Sequence, residues 1–395
     1  MRVLLLAPQP FFQERGTPIA VRLAATVLSK RAKDQIDLLT YHEGSDLEIA
    51  NVQLVRIYVP QWLERMGLKG IGPGVSIKKL MCDLLFAFKA LRLVLAKRYD
   101  MVHAVEESVF LALLFKWIFK VPYIYDMDSS LALQVTEKWY VLKPLSPLLN
   151  YLERLAVKHS LAVVPVCDAL AAIANRHGSP FTQVLHDISL LNGDRKGDFA
   201  VNLRNEAGLG EADKVFLYIG NLEAYQGIDL MLESFALAAE KEVLAKLVVI
   251  GGREEHIELY RGRAERLGIS DRVRFLGTRP VSRLNDYLLQ ADYLVSPRVK
   301  GNNTPMKIYS YLHSGKPVIA TDLPTHSQVM DSSCAKLAAP DSESMRQAML
   351  ELLGDPDKAA ALGEKARALA EERYTFGNFE RTLSGIYDKV AAEIA

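Results

Sequence analysis

The feature that most constrains this chain is a beat of short apolar runs separated by longer amphipathic stretches, run through once and then restarted near residue 197. In the first half, Val3–Ala7, Gln35–Thr40, Val52–Tyr58, Met101–Ala104, Tyr123–Asp126 and Ala162–Val166 read as strands. Helical periods fill Thr17–Arg31, Ile77–Lys97, Ser108–Phe119, Ser146–His159 and Asp168–Arg176. Strands flanked on both sides by helices imply a largely parallel, doubly wound α/β sheet.

The second pass predicts strands at Lys214–Ile219, Ala245–Ile250, Val273–Leu276, Tyr293–Ser296 and Pro317–Ala320. Helices are expected at Gly227–Ala239, Glu255–Leu267, Pro280–Gln290, Met306–His313 and Asp355–Arg373, with a last one after Thr375. A chain of 395 residues is too long for one ordinary core, which fits two domains. The expected division is an N-terminal Rossmann-like domain over 1–196, a second over 197–374, and a terminal helix over 375–395 packing back on the first. The polar stretch 192–198 is the expected linker. Two such domains would face a cleft, with ligands beyond the carboxyl ends of the strands.

Lys and Arg number 48 against 47 Asp and Glu, so nothing suggests a polyanion, and no nucleic-acid partner is expected. Three widely spaced cysteines argue against a disulfide framework and favour a reducing compartment. The apolar run ahead of Pro8 is too short for a secretory core, and no apolar run reaches the roughly 18 residues of a spanning helix. A cytoplasmic location is the expectation.

Chemistry is sought where strands end. After the first strand, Gly16 precedes a helix whose expected cap is Thr17 with Pro18 at its first position, and such a helix start suits a phosphate or a hydroxyl. His103, Glu106 and Glu107 close the fourth strand as a polar cluster able to orient a sugar, or as an ordinary structural group. Asp126 and Asp128 form a DxD pair after the fifth. Two carboxylates are too few for a hard cation, so no metal is assigned. In the second half, Gly220 and Gly252 lie in turns where backbone amides can approach a ligand, with Arg253 beside the latter.

In order, the second half reads GNLEAYQGIDLMLESF, VIGGREEHIELYRGRAERLGISDRVRFLG, ADYLVSPRVKGNN and YLHSGKPVIATD. This series resembles the donor domain of retaining glycosyltransferases of family 4, which have the GT-B fold, strongly over about residues 214–375. The stretch HAVEE resembles the family's His-centred motif on the acceptor side. The resemblance implies two facing Rossmann-like domains and transfer of a hexosyl unit, with retention, from a nucleoside diphosphate sugar to a lipid-linked, lipid or polysaccharide acceptor. No metal or other cofactor is implied.

Four positions depart from the family pattern. Asn221 and Gln226 stand where an Arg and a Lys grip the diphosphate, and Asn302 and Ser310 stand where two glutamates hold sugar and ribose hydroxyls. New cations appear nearby at Arg298 and Lys307, and the reading assigns them the diphosphate. Gly16, Gly220, Asn221, Gln226, Gly252, Arg253, Asn302, Thr304 and Ser310 are the expected donor contacts. His103, Lys307 and Arg298 are the expected catalytic groups, and Glu106, Asp126 and Asp128 flank the acceptor. The basic, apolar stretch 62–98 is either a peripheral membrane contact or an ordinary sheet-packing helix. The competing reading is a nucleotide-sugar-binding pseudoenzyme on the same fold.

Overall fold

The computed structural model describes residues 1–14, 16–65, 67–71, 76–130, 132–133, 144–191 and 199–394. The expected linker, 192–198, lies outside them. The chain divides into two compact units, Met1–His186 with Phe379–Ala395, and Asp187–Asn378. The boundary at His186 and Asp187 precedes the 196/197 position read from the restart of the strand–helix pattern, because the extended stretch after 186 already bonds within the second unit. There, the Leu190 amide donates to Ser310 Oγ at 3.0 Å.

The first unit is built from β1 (Arg2–Leu6), α1 (Gly16–Ser29), β2 (Gln35–Thr40), β3 (Val52–Arg56), α2 (Gln61–Arg65), α3 (Ile77–Ala96), β4 (Met101–Val105), α4 (Val109–Phe119), β5 (Tyr123–Met127), α5 (Ser146–Lys158), β6 (Ala162–Pro165) and α6 (Asp168–Arg176). All six strands are parallel, in the order β3-β2-β1-β4-β5-β6. Strand Val3–Leu6 is wholly apolar and fully buried, as a strand covered by helices on both faces must be. Alternate residues divide between the faces. Leu4, Leu6, Val102 and Ala104 join one core with Phe86 and Ala90 of α3, whereas His103 points to the other face.

The second unit contains α7 (Leu203–Ala207), β7 (Lys214–Ile219), α8 (Ile228–Ala239), β8 (Ala245–Ile250), α9 (Glu254–Arg266), β9 (Val273–Gly277), α10 (Leu284–Gln290), β10 (Tyr293–Ser296), α11 (Lys307–Ser314), β11 (Val318–Thr321), α12 (Pro324–Ser327), β12 (Lys336–Ala338), α13 (Ser342–Gly354) and α14 (Pro356–Arg373). Its order, β12-β11-β10-β7-β8-β9, repeats the first when numbered within the unit. Phe216, Tyr218, Leu247 and Val249 pack on one face, and Val215, Leu217, Val248 and Ile250 on the other. The strand β12 and helix α13 escaped the sequence reading. The three-residue strand is too short to show a period. The last helix, α15 (Phe376–Ile394), begins in the second unit and lies from Phe379 onward with the first.

Both sheets reverse strand order between their first and fourth strands, β1 with β4 and β7 with β10. Loops leaving the carboxyl ends there diverge and leave a crevice for a ligand. In the second unit, those loops are 220–227 and 297–306.

Candidate functional site

The loop after β7 runs Gly220 to Gly227, and glycine at its far end is a steric demand. Gly227 has φ +74°, and a Cβ there would lie 1.9 Å from the Pro297 carbonyl oxygen. The loop therefore closes directly on the segment after β10, and the Val299 amide donates to the Tyr225 carbonyl at 3.0 Å. At the near end, a Cβ on Gly220 would meet Tyr218 Oη at 2.9 Å and Lys307 Nζ at 3.3 Å. Gly220 therefore leaves its backbone bare directly over the lysine.

Lys307 is the first residue of α11, where free amides and the positive dipole end also gather. Its Nζ is buried, has no hydrogen-bond partner, and sits 3.8 Å from the centroid of the Tyr218 ring. Burial, and then the neighbouring Arg298 cation, hold this amine well below its ordinary range. A buried cationic group without an anion is costly, which is why its basicity falls.

Arg298 is organised differently. Its Nε donates to the Lys300 carbonyl at 2.7 Å, and its two terminal nitrogens reach the Asn303 carbonyl at 3.1 Å and Asn303 Oδ1 at 3.0 Å. The guanidinium lies over the Tyr225 ring, 5.2 Å from its centroid. It thus shapes the loop 298–303 and ties it to 220–227. Beneath it, Thr321 Oγ1 donates to the Arg298 carbonyl at 2.5 Å. His326 Nδ1 meets the Thr321 carbonyl at 2.9 Å, and since a carbonyl only accepts, Nδ1 carries the proton. Nε2 then accepts from Ser296 Oγ at 2.9 Å. Burial above all, with a smaller contribution from the Arg298 cation, pushes His326 down to about 3.

The remaining expected donor contacts are spread over these loops. Asn221 is exposed, and its side chain bridges Tyr225 Oη at 3.3 Å and the Glu223 amide at 3.3 Å. Gln226 is buried, with Oε1 lacking a partner. Asn302 is exposed, while Thr304 is buried and accepts from Gln328 Nε2 at 2.9 Å. Ser310, on α11 with Lys307, is buried against Leu190. Gly252, φ +87°, packs tightly on Leu222, and the exposed Arg253 precedes α9 and pairs with Glu255 at 3.2 Å and Glu223 at 3.7 Å. Arg298 and Lys307 thus lie together beyond the ends of β7 and β10, Gln226 is buried in the adjoining loop 220–227, and Arg253 stands at the surface.

In the first unit, Val105 pairs with Asp126, so Glu106 and Asp126 leave neighbouring strands at one edge. Burial, and then the charges of Glu153, Glu106, Asp128 and Asp126, push the buried Tyr125 hydroxyl upward. His103 is fully buried, with Nε2 donating to Asp126 Oδ2 at 3.2 Å and Nδ1 at 2.8 Å from Tyr387 Oη of α15. Glu107 pairs with Lys79 of α3. Among the described residues, no group of three or more His, Cys, Asp or Glu could hold a metal. Gly16 opens α1, one residue before the Thr17 cap expected from sequence, and open space surrounds the position of its missing side chain.

Tyr218, Tyr225 and His326 were not singled out from the sequence. Tyr218 and His326 sit near the carboxyl ends of β7 and β11, a position that could have flagged them.

Residues 18–186 match the family model described as glycosyl transferase 4-like domain, and residues 201–369 match glycosyl transferases group 1. The α-D-kanosaminyltransferase of Streptomyces kanamyceticus is 21% identical over 72% of this chain and 74% of its own length. The D-inositol 3-phosphate glycosyltransferase of Corynebacterium urealyticum is 27% identical over 47% of this chain. The match spans only 45% of that relative. Among solved structures, sucrose-phosphate synthase from Thermosynechococcus elongatus superposes with a TM-score of 0.77 at 18% identity, covering 99% of each chain. Anabaena HepE in complex with UDP-glucose does so at 0.74 and 15% identity, covering 98% of this chain and 100% of its own. With one family model on each sheet and the fold shared along nearly the whole length, the chain belongs to the GT-B glycosyltransferases of family 4.

Proposed function

We propose that this glycosyltransferase moves a hexosyl unit from a nucleoside diphosphate sugar, with retention, to a lipid-linked, lipid or polysaccharide acceptor. The observation that carries the reading is Lys307 Nζ, buried and unpaired under the bare backbone of Gly220 at the switch point of the second sheet. A diphosphate there would meet that amine together with the first amides of α11. As the bond to the sugar breaks, negative charge grows on the leaving diphosphate, and a fixed cation lowers the barrier by favouring that charge. Arg298 holds the loop that frames the site, and Gln226 and Asn302 supply hydrogen bonds. In the first unit, His103 orients Asp126, and Glu106, Asp126 and Asp128 hold acceptor hydroxyls. No metal takes part, so turnover is expected to survive EDTA unchanged.

The exposed side chains Trp62, Ile77, Leu80, Leu84, Phe88 and Leu95, beside Lys78, Lys89 and Arg92, support contact between the 62–98 stretch and an anionic membrane surface. Met66 and 72–75 within it lie outside the described residues. No described helix is long and apolar enough to cross a membrane.

Thermal shifts with UDP-, GDP- and ADP-sugars test the donor assignment, since a ligand at 100 times its Kd adds about 2.7 kcal/mol of apparent stability. HepE makes UDP-glucose the first probe. The best binder is then offered with candidate acceptors, and the product anomer is read by NMR. Tight binding with neither transfer nor donor hydrolysis would overturn the catalytic reading in favour of a sugar-nucleotide-binding subunit.

A further inference from the structure

We propose that the second unit takes up a proton as it binds a nucleoside diphosphate, and that Lys307 Nζ is the atom that receives it. The inference rests on the reading of Lys307 as the diphosphate ligand. That nitrogen is buried without a hydrogen-bond partner, and no carboxylate pairs with it among the described residues. The groups facing it are the Tyr218 ring from β7, the Arg298 guanidinium from the loop after β10, and the His326 imidazole from α12. On its own helix, Tyr311 is engaged with the Ile219 amide at 2.8 Å. One of these groups is a cation, one is a neutral histidine, and two are phenols.

These surroundings decide the resting charge. Stripping water from an ammonium with no partner costs several-fold more than one aromatic face returns, and Arg298 adds repulsion. The neutral amine wins, in line with the direction in which burial and Arg298 move it. A nucleoside diphosphate reverses the balance, because an anion within a few ångströms favours the charged form. The amine lone pair then takes a proton from the buffer acid, an N–H bond forms as the buffer's bond to hydrogen breaks, and no electron changes hands. Release of the diphosphate returns the proton. The cation that stabilises the leaving group is thus assembled by the donor.

Two measurements test this on the full chain. First, lysines labelled with 13C at Cε and 15N at Nζ are titrated by NMR in the free protein, with Lys307→Arg identifying the signal. Lys307 should lose its proton at lower pH than the other lysines, and a Lys307 that titrates with them overturns the inference even if nucleotides bind. Second, UDP, GDP and ADP are titrated calorimetrically at pH 8, where the terminal phosphate with its pKa near 6 is already ionised. Buffers of different ionisation enthalpy are compared. The binding enthalpy should shift with the buffer in the direction of proton uptake, and that dependence should vanish in Lys307→Arg, which is permanently charged. Wild-type binding with no buffer dependence overturns the inference and leaves the donor site standing. Absence of binding by all three nucleotides overturns both. Lys307→Ala should weaken binding about ten-fold or more, as expected for a charge-assisted contact.

Discussion

A buried amine without a partner sets a stability against a function at one residue. Lys307→Met keeps the length of the side chain and removes a buried group that no hydrogen bond compensates. The variant should unfold at higher temperature than wild type, by about 0.5–2 kcal/mol, while losing nucleotide binding. Equal or lower stability, read by calorimetry, would show that the buried amine is already compensated. His326 offers a second test at this scale. Its pKa of about 3 in the folded chain lies below the 6.5 of an unfolded histidine, so the unfolded state binds more protons between those values. Its contribution is full above about pH 6.5 and is lost as pH falls toward 3, at up to about 1.4 kcal/mol per pH unit. His326→Asn should flatten the pH dependence of stability in that window, and an unchanged slope in denaturant titrations would refute the buried neutral ring.

Among elements, the site depends on two loops fitted to each other. Gly227 is bare because the Pro297 carbonyl occupies the space of a Cβ, and Arg298 binds three acceptors of its own loop. Gly227→Ala should force the loops apart and destabilise the protein by more than about 1 kcal/mol, with hydrogen exchange rising in both 220–227 and 297–303. Exchange confined to one loop would show that they are not coupled. The glycine pattern and the strand ends marked these loops in the sequence, and the structure brings the two into contact. The division of labour between the two cations was not legible, because both are basic residues near one turn. Only the carbonyls that converge on Arg298, and their absence around Lys307, separate them.

For the whole molecule, the chain's end matters most. α15 brings Leu383, Ile386, Tyr387 and Val390 to buried positions, and Tyr387 Oη reaches His103 in the middle of the first sheet. Arg31 of the first unit also pairs with Asp388 at 2.8 Å. Tyr387→Phe should destabilise the protein by about 1–3 kcal/mol, because it leaves a buried imidazole nitrogen unpaired, and should lower transfer with little change in donor affinity. A loss confined to donor binding would contradict a role for this contact on the acceptor side. Fold class and the two-sheet plan were readable from apolar periodicity. The role of His103 was not, since its partners come from residues 126 and 387.

What the sequence determined alone is what local chemistry encodes: strands buried on both faces, helices between them, glycines at the turns and a carboxylate-free loop after β10. Tertiary structure decided which polar groups are satisfied. The weakened basicity of Lys307, the neutral ring of His326 and the engagement of His103 all follow from burial and from partners distant in the chain. Desolvation and pairing are properties of a packed environment, which residue order specifies only after folding.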